Sequence, residues 1–218
     1  MVIQKKQPRH YRFYAMWIKI CGLSTKAAVE AAVKAGATHV GFVFAPSKRQ
    51  VTIDEATQLA NLVPSSIKKV GLFVNAPLSE VEKTVRQVGL DLVQLHGDET
   101  RAYIQQLSVP VIKAIPIKNG KLPENLRDYL GNIILLDAPA TQFAGGNGQS
   151  FDWQSIDLLR LNDFQYFVAG GLTPENVTLA IEMLSPTGVD VSSGVETENK
   201  KDLNKIQEFI RKARETNV

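Results

Sequence analysis

The sequence predicts a single-domain α/β protein whose eight parallel strands, each followed by a helix, close into a barrel. Three observations carry the prediction: short β-rich apolar runs alternate with amphipathic stretches along the chain, the alternation occurs eight times, and the connections stay short. Strands are expected at about Trp17–Ile20, His39–Phe44, Lys69–Val74, Leu92–Leu95, Val111–Ile115, Ile133–Asp137, Tyr166–Ala169 and Val189–Val191. Each is a largely apolar run of three to six residues, too short for a helix and mostly rich in Val, Ile, Leu and Phe, as strands buried on both faces require. Helices are expected between them at about Thr25–Lys34, Asp54–Asn61, Leu78–Val88, Thr100–Leu107, Glu124–Tyr129, Ser155–Arg160, Pro174–Leu184 and Lys201–Arg214. Thr173-Pro174-Glu175 reads as a capping residue followed by proline at the first helical position. An open doubly wound sheet shares the rhythm, but no strand-helix unit is missing, and the closed (β/α)8 barrel, the TIM barrel, suits the count better.

The chain has 218 residues, 44% of them apolar or aromatic, which is enough for one complete core at the small end of the barrel size range. A charged fraction of 22% and a formal net charge of +3, without any basic tract, argue against a nucleic-acid partner. No apolar run approaches the roughly 18 residues of a membrane span, and no N-terminal run resembles a secretory signal, so no membrane partner and a cytoplasmic location are expected. Cys21 is the one cysteine, and His10, His39 and His96 lack metal-ligand spacing, so no metal is expected. Residues 1–15 show neither periodicity. They read as a disordered extension or an upstream start with Met16 as the true beginning, against a basic-aromatic arm for a partner; the barrel domain is placed at 16–218.

In such a barrel the site forms at the C-terminal ends of the strands, so the residues just after each strand are the candidates. Gly170-Gly171 after the seventh strand and Ser192-Ser193-Gly194 after the eighth expose backbone N–H groups with no side chain to obstruct an anion. They read as a phosphate cradle, where otherwise they would only permit tight turns. Cys21, at the end of the first strand and followed by glycine, is either an inert buried thiol or a general base activated by nearby positive charge. Asp137 ends the run Ile133-Ile134-Leu135-Leu136; in that half-apolar setting a carboxyl group could keep a proton and act as general acid, or could be a structural partner of a lysine. Arg49, in the loop after the second strand, offers a fork for a carboxylate unless it is a solvated surface arginine. His96, in a His-Gly turn, is a candidate for lining the cavity. Lys19 shares a strand face with Cys21, and Asp190 on the neighbouring strand is expected to pair with it inside the barrel.

At these residues the sequence resembles the phosphoribosylanthranilate isomerase family, from about Trp17 to the C-terminus. The resembling segments are Lys19-Ile20-Cys21-Gly22-Leu23, Gly41-Phe42-Val43-Phe44, Ser47-Lys48-Arg49, Val70-Gly71-Leu72-Phe73-Val74-Asn75, Val93-Gln94-Leu95-His96-Gly97 and Leu135-Leu136-Asp137. They continue with Gly145-Gly146-Asn147-Gly148, Phe151-Asp152-Trp153, Gly170-Gly171-Leu172-Thr173-Pro174-Glu175-Asn176-Val177 and Val189-Asp190-Val191-Ser192-Ser193-Gly194-Val195-Glu196. Each is weak alone, and together in this order they are specific. The resemblance implies an Amadori rearrangement in tryptophan biosynthesis without a cofactor, on a small phosphosugar substrate, by a monomer or homodimer. It implies Asp137 as general acid, Cys21 as general base, Arg49 on the anthranilate carboxylate and the turns at Gly170-Gly171 and Ser193-Gly194 on the phosphate. One departure is Gln149, which stands where many members of the family carry a basic residue.

Rival readings fare worse. An indole-glycerol-phosphate synthase would bring a catalytic lysine and a longer N-terminal region, and a metal-dependent pentulose-phosphate epimerase needs a His and carboxylate cluster that three scattered histidines do not supply. A non-catalytic phosphosugar-binding barrel could keep the cradle, though it would have no need of both Cys21 and Asp137.

Overall fold

The computed structural model describes residues 16–117, 121–137 and 156–216. Eight parallel strands, β1 (Trp17–Cys21), β2 (His39–Val43), β3 (Lys68–Phe73), β4 (Leu92–Leu95), β5 (Val111–Pro116), β6 (Ile133–Asp137), β7 (Tyr166–Ala169) and β8 (Gly188–Val191), close in sequence order into one barrel. The seam pairs Lys19 of β1 with Asp190 of β8. The (β/α)8 expectation holds, and every expected strand lies within about one residue of the observed one, because strands buried on both faces leave an uninterrupted apolar signature.

Alternation along each strand sorts the core into two shells. Residues such as Ile18, Ile20, Val40 and Phe42 point outward and pack under the helices. Val70, Leu92, Ile112, Leu135 and Phe167 point inward and fill the barrel, with Trp17 against them. At the N-terminal end Trp17, His39 and Phe167 meet with ring centroids 5.3 to 5.6 Å apart. Gly188 admits that cluster, since a Cβ there would lie 2.6 Å from Trp17 Cβ and 2.7 Å from Phe167 Cε1.

The helices begin where the sequence supplies caps. For α1 (Lys26–Ala35) the Thr25 side chain accepts from Ala28 N, and for α2 (Ile53–Ala60) Thr52 and Glu55 form a reciprocal capping box. Helix α3 (Leu78–Val88) ends at Gly89 in the left-handed region, φ 68°. The last helix, α6 (Leu203–Glu215), starts at Asp202, whose carboxylate accepts from the Asn204 and Lys205 amides.

Several helical expectations change in the structure. The stretch after β4 holds only one turn, α4 (Arg101–Ile104), because Pro110 lies close ahead and the following bonds tighten to the three-residue kind. Glu124–Tyr129 and Leu158–Leu161 are 3₁₀ segments, the former broken at Asn125. Helix α5 (Val177–Leu184) starts three residues later than Pro174, since Asn176 folds back: its Oδ1 accepts from Thr173 N and its Nδ2 donates to Gly171 O. A small hairpin, β9 (Glu196–Thr197) with β10 (Lys200–Lys201), precedes α6 and turns through Glu198 and Asn199 at positive φ. The extension 1–15, Gln149 and the glycine-rich loop around it lie outside the described residues.

Candidate active site

At the C-terminal mouth of the barrel a cavity of about 430 Å³ is lined by Cys21, Arg49, His96, Asp137, Gly170, Gly171, Ser192, Ser193 and Gly194. Every site residue expected from the sequence therefore reaches one cavity, although β1, β2, β4, β6, β7 and β8 each deliver at least one of them. Cys21 ends β1 on its inward face and is buried, beside Val43 and Ala45. Asp137 ends β6, about one-third exposed, three strands away around the barrel.

Below the thiol sits the Lys19–Asp190 pair, 2.9 Å apart and buried, as the shared face and closed topology predict. Burial works to discharge the Lys19 ammonium, but the Asp190 carboxylate and the nearby Cys21 sulfur outweigh it and hold its pKa above the ordinary value. Gly41 leaves room for this arrangement: a Cβ there would stand 3.0 Å from Cys21 Sγ and 3.3 Å from Lys19 Nζ.

His96 Nε2 lies 3.0 Å from Asp137 Oδ2, and His96 Nδ1 lies 3.5 Å from Gln94 Nε2. A Gln94 N–H facing Nδ1 matches the tautomer whose N–H is on Nε2, the nitrogen within hydrogen-bond reach of Asp137 Oδ2. The turn that carries His96 is fixed from beneath. Glu99 accepts from the amides of Asn75 and Gly97 and pairs with Lys113 at 3.0 Å, both side chains buried, while Lys113 also donates to Gly97 O at 2.5 Å. Burial pushes the Glu99 carboxyl up, but these donors prevail and keep it below its usual range.

On the opposite rim, Gly170 and Gly171 adopt φ of 81° and 65°, which favours glycine at both. Gly194 admits no side chain, since a Cβ would fall 1.7 Å from Leu172 O. The two turns thus approach each other through bare backbone, a geometry suited to a phosphate. Ser192 Oγ donates to Cys21 O at 3.2 Å, tying this rim to the end of β1.

Arg49 also lines the cavity, and the sequence did not disclose its partner. Its Nε and Nη2 donate to the two oxygens of Glu196 at 2.5 and 2.8 Å. Lys201 Nζ donates to the same carboxylate at 2.9 Å and to Ser192 O at 2.8 Å. Burial pushes Glu196 up, yet Arg49 and Lys201 hold its pKa down to about 2. Glu99, Glu196 and Lys201 are the parts of the site that strand-end reasoning missed, while Gln94 stood in a strand-end segment without a role assigned to it. Glu196 and Lys201 lie beyond the eighth turn, in a hairpin with no apolar signature, and Glu99 and Lys113 read as ordinary polar positions.

Among the described residues no group of three or more His, Cys, Asp or Glu side chains could hold a metal ion, and no helix is long and apolar enough to cross a membrane. A mixed cavity with an acid, a thiol and a backbone anion cradle at the mouth of a (β/α)8 barrel defines an enzyme class that acts on phosphorylated small molecules. The family model described as N-(5'phosphoribosyl)anthranilate (PRA) isomerase matches residues 18–212, and the chain belongs to that family. It is 50% identical over 199 residues to the N-(5'-phosphoribosyl)anthranilate isomerase of Listeria welshimeri, covering 91% of this chain and 98% of that one. Among solved structures it is similar to a phosphoribosyl anthranilate isomerase in complex with reduced 1-(o-carboxyphenylamino)-1-deoxyribulose 5-phosphate, with a TM-score of 0.82, 36% identity and coverage of 92% and 99%. It is likewise similar to monomers generated from the dimeric enzyme of Thermotoga maritima, with a TM-score of 0.79, 34% identity and coverage of 92% and 99%.

Proposed function

We propose that the protein catalyses the Amadori rearrangement of N-(5-phospho-β-D-ribosyl)anthranilate to 1-(2-carboxyphenylamino)-1-deoxy-D-ribulose 5-phosphate, a step of L-tryptophan biosynthesis. The observation that carries the reading is the convergence of Cys21 and Asp137 on one cavity whose rim also carries a backbone anion cradle. Asp137 gives a proton to the furanose ring oxygen as the C1′–O bond breaks, and the anthranilate nitrogen supplies the electron pair that forms the C1′=N Schiff base. Cys21 then removes the C2′ proton, and the released electron pair moves through C1′ to nitrogen, giving an enol that tautomerises to the ketone. No atom is gained or lost and no cofactor takes part.

His96 orients the Asp137 carboxyl and, with Arg49, lines the substrate's path; Arg49 meets the anthranilate carboxylate through the donors that Glu196 does not use. The turns at Gly170-Gly171 and Ser192-Ser193-Gly194 hold the 5-phosphate. The protein acts in the cytoplasm, as a monomer or homodimer, on a small phosphosugar rather than on nucleic acid or membrane.

The decisive experiment follows the loss of anthranilate fluorescence as freshly made phosphoribosylanthranilate is consumed by wild type, Cys21→Ala and Asp137→Ala. Both variants are expected to lose about 1,000-fold or more in kcat while still binding the reduced product analogue. Wild-type protein that binds the analogue without turning over the substrate would replace the isomerase with a phosphosugar-binding protein.

A further inference from the structure

We propose that Glu196 is a positioning residue for the substrate's carboxylate: it holds Arg49 by one edge of the guanidinium so that the other edge faces the cavity. The proposal rests on the reading of Arg49 as the carboxylate-binding residue. A guanidinium has five N–H donors in a fixed plane, and pairing along the Nε and Nη2 edge uses two of them. The remaining donors, on Nη2 and Nη1, point away from Glu196, and Arg49 lies on the cavity wall. Their direction is thus set by the plane of the Glu196 carboxylate.

Glu196 is well placed to set it. Its side chain is only 6% exposed and is gripped by Lys201 at 2.9 Å, with Lys48 at 3.7 Å, so it is not free to swing away. The stem of Arg49 is pressed on the other side against the backbone of Gly22, where a Cβ would stand 2.5 Å from Arg49 Cδ. A head held on one side and a stem on the other leave the guanidinium little freedom to lose on binding, which is how preorganisation strengthens recognition. Three cations around a single carboxylate also leave an excess of positive charge, which suits a ligand bearing a carboxylate at one end and a phosphate at the other. A latch would behave in the opposite way: if Glu196 only occupied Arg49 until substrate displaced it, its removal would tighten binding.

The test compares two probes, reduced 1-(o-carboxyphenylamino)-1-deoxyribulose 5-phosphate and its phenylamino counterpart lacking the carboxylate, on wild type, Glu196→Gln, Arg49→Ala and the double variant. Glu196→Gln is expected to weaken the carboxylated probe by about 10-fold or more and the other by less than about 3-fold. KM for the substrate should rise with kcat kept within about 3-fold, and the double variant should bind no worse than Arg49→Ala alone. Equal losses on both probes, additive losses in the double variant, or tighter binding would overturn the proposal. Should Glu196→Gln fail to fold, Glu196→Asp keeps the charge and is expected to show a smaller loss confined to the carboxylated probe; a loss shared by both probes would again overturn it. A wild type without preference for the carboxylated probe, or an Arg49→Ala that keeps that preference, would instead remove the role of Arg49 itself.

Discussion

Gly194 and Gly131 show how a single hydrogen can have different worth at two places in one barrel. Gly131 sits at φ 89° with nothing within 4 Å of the Cβ it lacks, so Gly131→Ala should cost only the backbone strain, about 1 kcal/mol of stability, and leave kinetics unchanged. At Gly194 the missing Cβ would overlap Leu172 O, so alanine must push the two phosphate-cradle turns apart. Gly194→Ala is expected to weaken inorganic phosphate, as a competitive inhibitor, by about 10-fold or more, while Gly131→Ala leaves its inhibition constant as in wild type. Equal inhibition constants in both variants would mean that the cradle does not hold phosphate. Gly194 was legible in the sequence because barrel topology dictates where a strand end must point. The partners of Arg49 and Lys113 were not, since the Arg49–Glu196 and Lys113–Glu99 contacts join segments that no local pattern relates.

At the scale of elements, strands proved more legible than helices. Eight strands could be read because each is buried on both faces and mostly apolar, whereas among the described residues the helical segments after β4, β5 and β6 are one turn of α-helix or 3₁₀ geometry and carry little periodicity to read. In that stretch the ends of β3, β4 and β5 are tied instead by polar contacts centred on Glu99 and Lys113. Removing the cation alone strands a buried carboxylate, so Lys113→Met should lower the unfolding free energy in urea by about 3 kcal/mol or more. It should also reduce turnover, because the His96 turn rests on Gly97. Replacing both partners in Lys113→Met/Glu99→Gln removes the stranded charge and is expected to recover part of the loss in stability; a double variant as unstable as the sum of the singles would show that the pair is not coupled.

The eight strands close into one barrel, so the protonation of a buried group at its base bears on the stability of the sheet as a whole. His39 is that group: it is 5% exposed, packed tilted against Trp17 and edge-on to Phe167, with Nδ1 2.8 Å from Thr38 Oγ1. Burial first, then the positive charges of Lys19 and Lys68, lower its pKa from 6.5 to about 3. Below pH 6.5 the unfolded chain therefore binds a proton at this position that the folded barrel refuses, and stability must fall as the pH drops from 6.5 towards 3. The slope from one such histidine is at most about 1.4 kcal/mol per pH unit. Glu196, held to about 2, adds a loss of the same sign only once the pH falls through the ordinary carboxylate range, so the interval from 6.5 down to about 5 isolates the histidine. His39→Leu keeps an apolar side chain against Trp17 and Phe167, and Thr38 Oγ1 retains its bond to Ile18 O at 3.2 Å. Urea unfolding across that interval should show wild-type stability declining with acidification while the His39→Leu curve is nearly flat. Parallel curves for the two proteins would place the acid sensitivity elsewhere in the barrel.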